Sequence, residues 1–154
     1  MTCTYVPMDT IPLEEFSNIW LKILPLVKKL IPRAHGRITE TSILEEVRTG
    51  QAQLWISLDI GNEPIAFIVT KVRVYPKKRL LSFEYIGGEK IEEWFTEAHD
   101  TISQWAAIPL SQGGPWCDGV EAYGRVGWVR YLKPRGWTQE FCVFERMFPT
   151  AADG

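Results

Sequence analysis

The chain has 154 residues, of which 45% are hydrophobic and 23% charged, and its 17 basic and 19 acidic side chains give a formal net charge of -2. That length suits one domain burying about 70% of its unfolded surface, and the composition excludes a disordered, collagen-like or disulfide-scaffold chain. Without a basic excess, binding to nucleic acid through its phosphates is not expected. Only a local basic face on Arg125, Arg130, Lys133 and Arg135 points that way.

The first element starts near Pro12, a favoured first-turn residue. Leu13, Phe16, Ile19, Trp20, Ile23, Leu24, Val27, Leu30 and Ile31 recur at offsets of three and four, which predicts one buried helical stripe. Pro25 is expected to kink or split this helix. A second helix is predicted over Thr41 to Thr49, capped by Thr41 or Ser42 and ended by Gly50. The period then changes to two. Residues 51–58 place Leu54, Ile56 and Leu58 on one face and Gln53, Trp55 and Ser57 on the other. A turn at 59–64 leads into the β-branched run 65–74, and Pro76-Lys77-Lys78 reverses the chain into 79–88. These three strands form an antiparallel meander covered on both faces.

Gly87-Gly88 ends the third strand. A helix follows with Ile91, Trp94, Phe95, Ala98, Ile102, Trp105 and Ala106 as its buried stripe, stopped by Pro109. After the loop SQGGPW, residues 118–124 read as a short strand and 125–135 as a short helix ending at Gly136. Residues 137–148 alternate as a final strand, and 149–154 form a loose tail to a single domain over 1–148. The expected order is α-α-β-β-β-α-β-α-β. Most of the seven tryptophans fall on buried stripes; Trp116, in the Gly/Pro loop, is placed to line a cleft.

Cys3, Cys117 and Cys142 form no CxxC pair and lie far from His35 and His99, so no metal site is expected. An odd cysteine count without a secretory signal indicates reduced thiols and a cytoplasmic location. Lys22, Pro25, Lys28 and Lys29 interrupt the longest apolar stretches, so no membrane span is expected. Cys117 sits beside Asp118 with no His near it in sequence, which argues against a nucleophile.

The element order resembles the GCN5-related N-acyltransferase family (GNAT) over roughly residues 10 to 148. Its most specific piece is VRYLKPRGW, 129–137, which looks like that family's late helix. The stretch from Gly50 to Trp137 is also similar to small GNAT-like proteins of tailed bacteriophages. The resemblance implies an α/β (α+β) fold: a mixed sheet with helices on both faces, the meander leading into a strand-helix-strand-helix-strand unit. It implies acyl transfer, commonly acetyl, from acyl-CoA to an amine by direct attack.

By the same resemblance the cofactor-binding stretch falls on Tyr85, Ile86, Gly87, Gly88, Glu89, Lys90 and Ile91, and the amides from Gly87 to Ile91 would hold the pyrophosphate at a helix N-terminus. Lys90 and Glu92 occupy the two positions that the family keeps small. The glycine pair either lets the backbone lie against phosphates or serves only the turn. Glu84 is the candidate base, in a setting that can raise a carboxyl pKa; its alternative is an ordinary strand residue, exposed or paired with Arg73. The family's frequent catalytic tyrosine falls on Leu132, which leaves Tyr131 and Tyr123 as candidate proton donors. The departures at Lys90, Glu92 and Leu132 support a second expectation, a catalytically degenerate GNAT-fold protein acting through protein or DNA contacts in phage assembly or host takeover. Meander edges and exposed tryptophans leave a homodimer open.

Overall fold

A computed structural model describes residues 2–124 and 126–149, which fall in two units divided after Tyr123. Arg125 of the expected basic face, and all of the expected loose tail except Pro149, lie outside the described residues.

The first unit is built on a five-stranded sheet in the order β1-β2-β3-β4-β5. Here β1 is Thr2–Val6, β2 Gln53–Leu58, β3 Pro64–Val74, β4 Arg79–Gly88 and β5 Gly119–Ala122. The first four strands run antiparallel and β5 pairs parallel to β4. The order predicted from the sequence lacks β1. Its five residues, bounded by Pro7, are too short for a period-two signal, and distant partners hold them. Thr2 to Val6 pair with Leu58 to Leu54, and the Cys3 amide donates to Glu97 Oε2 at 2.7 Å.

Helix α1, Leu13–Leu30, runs unbroken through Pro25, against the expected split. Pro25 is exposed and so is Leu21 four residues before it, so the carbonyl that loses its partner lies on the solvent side. Phe16, Trp20, Ile23 and Val27 are buried from this helix, whereas Leu13, expected in the same stripe, is exposed in its first turn. Helix α2, Glu40–Arg48, begins two residues earlier in its cap than expected. Thr39 Oγ1 accepts from the Ser42 amide and Ser42 Oγ from the Thr39 amide, a reciprocal capping box. Both helices pack on the sheet face carrying Leu54, Ile56, Phe67 and Val69. Each fully buried Ile, Phe or Val there contributes about 1.5–3 kcal/mol.

Helix α3, Ile91–Ala106, buries Trp94, Phe95, Ala98, Ile102 and Ala106 of its predicted stripe, while Ile91 and Trp105 are only partly buried. Trp105 meets Trp55 edge-on at 5.3 Å between ring centroids, and Trp55 alternates with Leu54 and Ile56. Helix α3 therefore covers the opposite face from α1 and α2. The sheet is mixed and carries helices on both faces. No helix among the described residues is long and apolar enough to cross a membrane.

The second unit contains α4, Val129–Leu132, between two short 3-10 turns at Val126–Trp128 and Lys133–Arg135. Gly136 closes it with φ 86°, a left-handed residue that glycine adopts without steric cost. The segment expected as a last strand, 137–148, forms no ladder among the described residues. Its Phe141 and Phe144 are 86% and 92% exposed. Alternation alone makes a strand only where a sheet edge supplies the hydrogen bonds.

Candidate active site

The site is set by one irregularity in β4. Val69 pairs with Tyr85 and Thr70 with Phe83, so Glu84 is an extra residue in the ladder, a β-bulge. The bulge breaks simple alternation. Glu84 lies beside Ser82, as expected from the sequence, but Ile86, expected on the same face, pairs opposite Ile68, one residue out of phase with Tyr85 and Val69. Tyr85 packs on the α1/α2 core, and burial, followed by the charges of Glu46 and Glu84, pushes its hydroxyl pKa up to about 12.

The second feature is where β5 stops. Parallel pairing runs from Leu80–Gly119 to Phe83–Ala122, and the Tyr123 amide donates to the Phe83 carbonyl at 3.3 Å. From Glu84 to Gly88, β4 continues beyond the end of this ladder. β5 itself ends at Ala122, opposite Phe83 and one residue before Glu84.

Around that point six side chains converge: Glu84, Arg73, Ser82, Tyr75, Glu121 and Tyr123. The side chain of Glu84 is 5% exposed; its Oε1 accepts from Arg73 Nη2 and its Oε2 from the Ser82 hydroxyl at 3.0 Å. The pairing with Arg73 is one of the two arrangements that the sequence leaves open. Tyr75 donates its hydroxyl to Glu121 Oε1 at 2.6 Å, and Arg73 Nε lies 3.9 Å from the same oxygen. The Arg73 guanidinium stands 5.5 Å from the centre of the Tyr123 ring. Partial burial alone would lower the Arg73 pKa, but Glu84 outweighs it, aided by Tyr123 and Tyr75, and the net shift is upward. The hydrogen bond to Glu121 chiefly raises the Tyr75 pKa. Beside the cluster, Lys71 forms an ion pair with Glu46 of α2 at 3.0 Å.

Sequence reasoning missed Tyr75 and Glu121. Tyr75 looks like a turn residue beside Pro76, and Glu121 joins the cluster only through the parallel register that sets it against Ser82.

The loop between β4 and α3 is fixed by packing. A Cβ on Gly87 would run into the Phe67 ring, and one on Gly88 would lie 2.6 Å from Ala66 Cβ and 2.7 Å from the Ile65 carbonyl oxygen. Both glycines are therefore required by the close approach of β3, whatever else binds there. The Glu89 amide donates to Ile65 O at 3.1 Å, and the Glu89 carboxylate forms an ion pair with Lys29. Hydrogen bonding to Lys29, reinforced by its charge, holds the Glu89 carboxyl below its ordinary range. Lys90 is left-handed, with φ 54°, and no side chain caps α3. Trp94 donates its indole N–H to the Glu89 carbonyl at 2.7 Å, fixing the loop to the helix. Uncapped amides with Lys29 and Lys90 attract an anion here, while Glu89, Glu92 and Glu93 oppose it.

Of the two tyrosines, Tyr123 borders the Glu84 cluster. Tyr131 lies on α4 in the second unit, where its hydroxyl accepts from Arg130 Nη2 at 2.6 Å. Trp116, in the left-handed region with φ 48°, is 58% exposed. Cys117 is buried, and that burial raises its thiol pKa, which makes it a poor nucleophile.

No protein-family model matches the chain, and no curated protein does. Solved structures do. A probable acetyltransferase superposes with a TM-score of 0.64 at 9% identity, covering 98% of this chain and 99% of its own. A ribosomal-protein-alanine N-acetyltransferase from Brucella melitensis biovar Abortus 2308 gives 0.63 at 10% identity, covering 96% and 100%. A possible acetyltransferase from Clostridium difficile 630 gives 0.61 at 10% identity, covering 97% and 98%. The fold is that of these acetyltransferases.

Proposed function

We propose that this chain transfers an acyl group, acetyl being the simplest, from acyl-CoA to an amine. The observation that carries the reading is the end of the β4–β5 ladder beside a buried carboxylate, in an acetyltransferase fold. The β4 edge from Glu84 to Gly88 offers backbone donors and acceptors to the amides of a pantetheine arm. Lys90, Lys29 and the uncapped start of α3 offer positive charge to its phosphates. Acyl-CoA supplies an activated thioester carbonyl.

Glu84 accepts a proton from the acceptor's ammonium, and the freed nitrogen forms a C–N bond as the C–S bond breaks. The leaving sulfur takes a proton from a tyrosine, and the tyrosine is restored by the second proton that the nitrogen loses on becoming an amide, passed through solvent. Tyr123, whose ring lies against Arg73, is one candidate, and Tyr131 is the other. General acid–base help of this kind is worth about 10²–10⁴-fold. Origin in a bacteriophage rests on sequence resemblance alone and plays no part in this chemistry.

The test is release of free thiol from acetyl-CoA in the presence of a mixed amine library. The reading expects amine-dependent release that falls at least about 10²-fold in Glu84→Gln. Equal release by wild type and Glu84→Gln would refute the assignment of the base. No release with any amine would refute the activity.

A further inference from the structure

The Glu84 cluster already has a cation seated in it, and that cation is one of the chain's own. Arg73 donates to Glu84, faces Glu121 at 3.9 Å and lies against the Tyr123 ring. Two carboxylates and an aromatic face are the surroundings that a positively charged amine requires. The seat fits Arg73 imperfectly. Its Nε is buried with no hydrogen-bond partner, whereas the side chain as a whole is 41% exposed. Glu84 is almost wholly buried and keeps only the Ser82 hydroxyl if Arg73 leaves. The nearby Glu46 is balanced by Lys71, so Glu84, Glu121 and Arg73 together carry one net negative charge.

We propose that Arg73 is an internal occupant of the acceptor site, and that the acceptor is a primary alkylammonium which enters by displacing the guanidinium from Glu84. This rests on the reading of Glu84 as proton acceptor. Exchange of one cation for another leaves the buried carboxylate paired throughout, so entry does not strand a charge. It also places the ammonium on Glu84 Oε1, the oxygen that takes its proton. With no acceptor present, Arg73 keeps the base covered. The Tyr123 ring, half-exposed beside Arg73, forms the aromatic wall against which the incoming cation rests.

The experiment titrates the protein with n-pentylammonium, using n-pentanol as the uncharged control and NMR as the readout. In wild type the Arg73 Nε–H signal is expected to be protected without amine and to exchange quickly at saturation. The alcohol is expected to leave it unchanged. In Arg73→Met, binding of the amine is expected to tighten by about tenfold or more, because no internal competitor remains. In Glu84→Gln, binding is expected to be lost. An Arg73 signal unmoved by amine, or no amine binding up to about 100 mM, would overturn the proposal. Should Arg73→Met fail to fold, the wild-type Nε–H measurement decides alone. Acetyl-CoA is titrated separately. If it binds while Arg73 stays in place, only this proposal fails. If it does not bind, the transferase reading fails, and the displacement of Arg73 is still judged on its own.

Discussion

Replacing Gly88 by alanine separates the packing of the β4–α3 loop from anything it binds. The new methyl would meet Ala66 Cβ at 2.6 Å, the Ile65 carbonyl oxygen at 2.7 Å and Ala66 Cα at 2.8 Å. Two of these atoms are backbone, so no side-chain rotation relieves the contact. Relief requires β3 and β4 to move apart where the Glu89 amide bonds to Ile65 O. Overpacking of this kind costs about 1–3 kcal/mol, and weakening that hydrogen bond adds up to about 1 kcal/mol. At about 2–4 °C per kcal/mol for a chain of this size, the melting temperature should fall by roughly 2–16 °C. Differential scanning calorimetry without ligand measures it. A Gly88→Ala protein melting within about 1 °C of wild type would refute the packing argument, and would return the glycine pair to a role in ligand binding alone.

Other outcomes follow from the same contacts. Glu84→Gln should lower stability by about 1–3 kcal/mol in urea unfolding, because Arg73 loses its charged partner but stays partly solvated. Ellman's reagent should label Cys142, which is exposed, rapidly in the native protein, and reach the buried Cys3 and Cys117 only on unfolding. Burial, and then the charge of Glu97, pushes the Cys3 thiol up to about 12 from 9.0. Because the unfolded chain releases that proton first, stability should fall as pH rises from about 9 towards 12, and Cys3→Ala should flatten part of that fall in pH-dependent melts. Backbone amides at 139–147, which join no ladder, should exchange with deuterium orders of magnitude faster than those of Phe67 to Val69 in β3.

Much of the fold is legible in the sequence because it rests on local periodicity. The α1 and α3 stripes, the meander and its two covered faces all follow from spacing. What escaped depends on distant partners. β1 forms because β2 offers an edge, and 137–148 stays unpaired despite good alternation. At α2 the reciprocal bonds of Thr39 and Ser42 place the cap earlier than residue type alone suggests. The site shows the same division. Glu84 and its Arg73 alternative are readable from neighbouring strands. The bulge that turns Glu84 beside Ser82 is not, and neither is the parallel register that delivers Glu121. The glycine pair does not by itself signal a ligand, since the ring of Phe67 and the backbone at Ala66 are enough to require it.

The central claim, that acyl-CoA lies along the β4 edge beyond the end of β5, is tested most directly by melting the wild-type protein with and without saturating acetyl-CoA. A ligand at 100 times its dissociation constant stabilises the folded state by about 2.7 kcal/mol, which corresponds here to roughly 5–11 °C. The account predicts a rise of that size, saturating with concentration and reproduced by CoA itself. A melting curve that does not move at millimolar acetyl-CoA would contradict it.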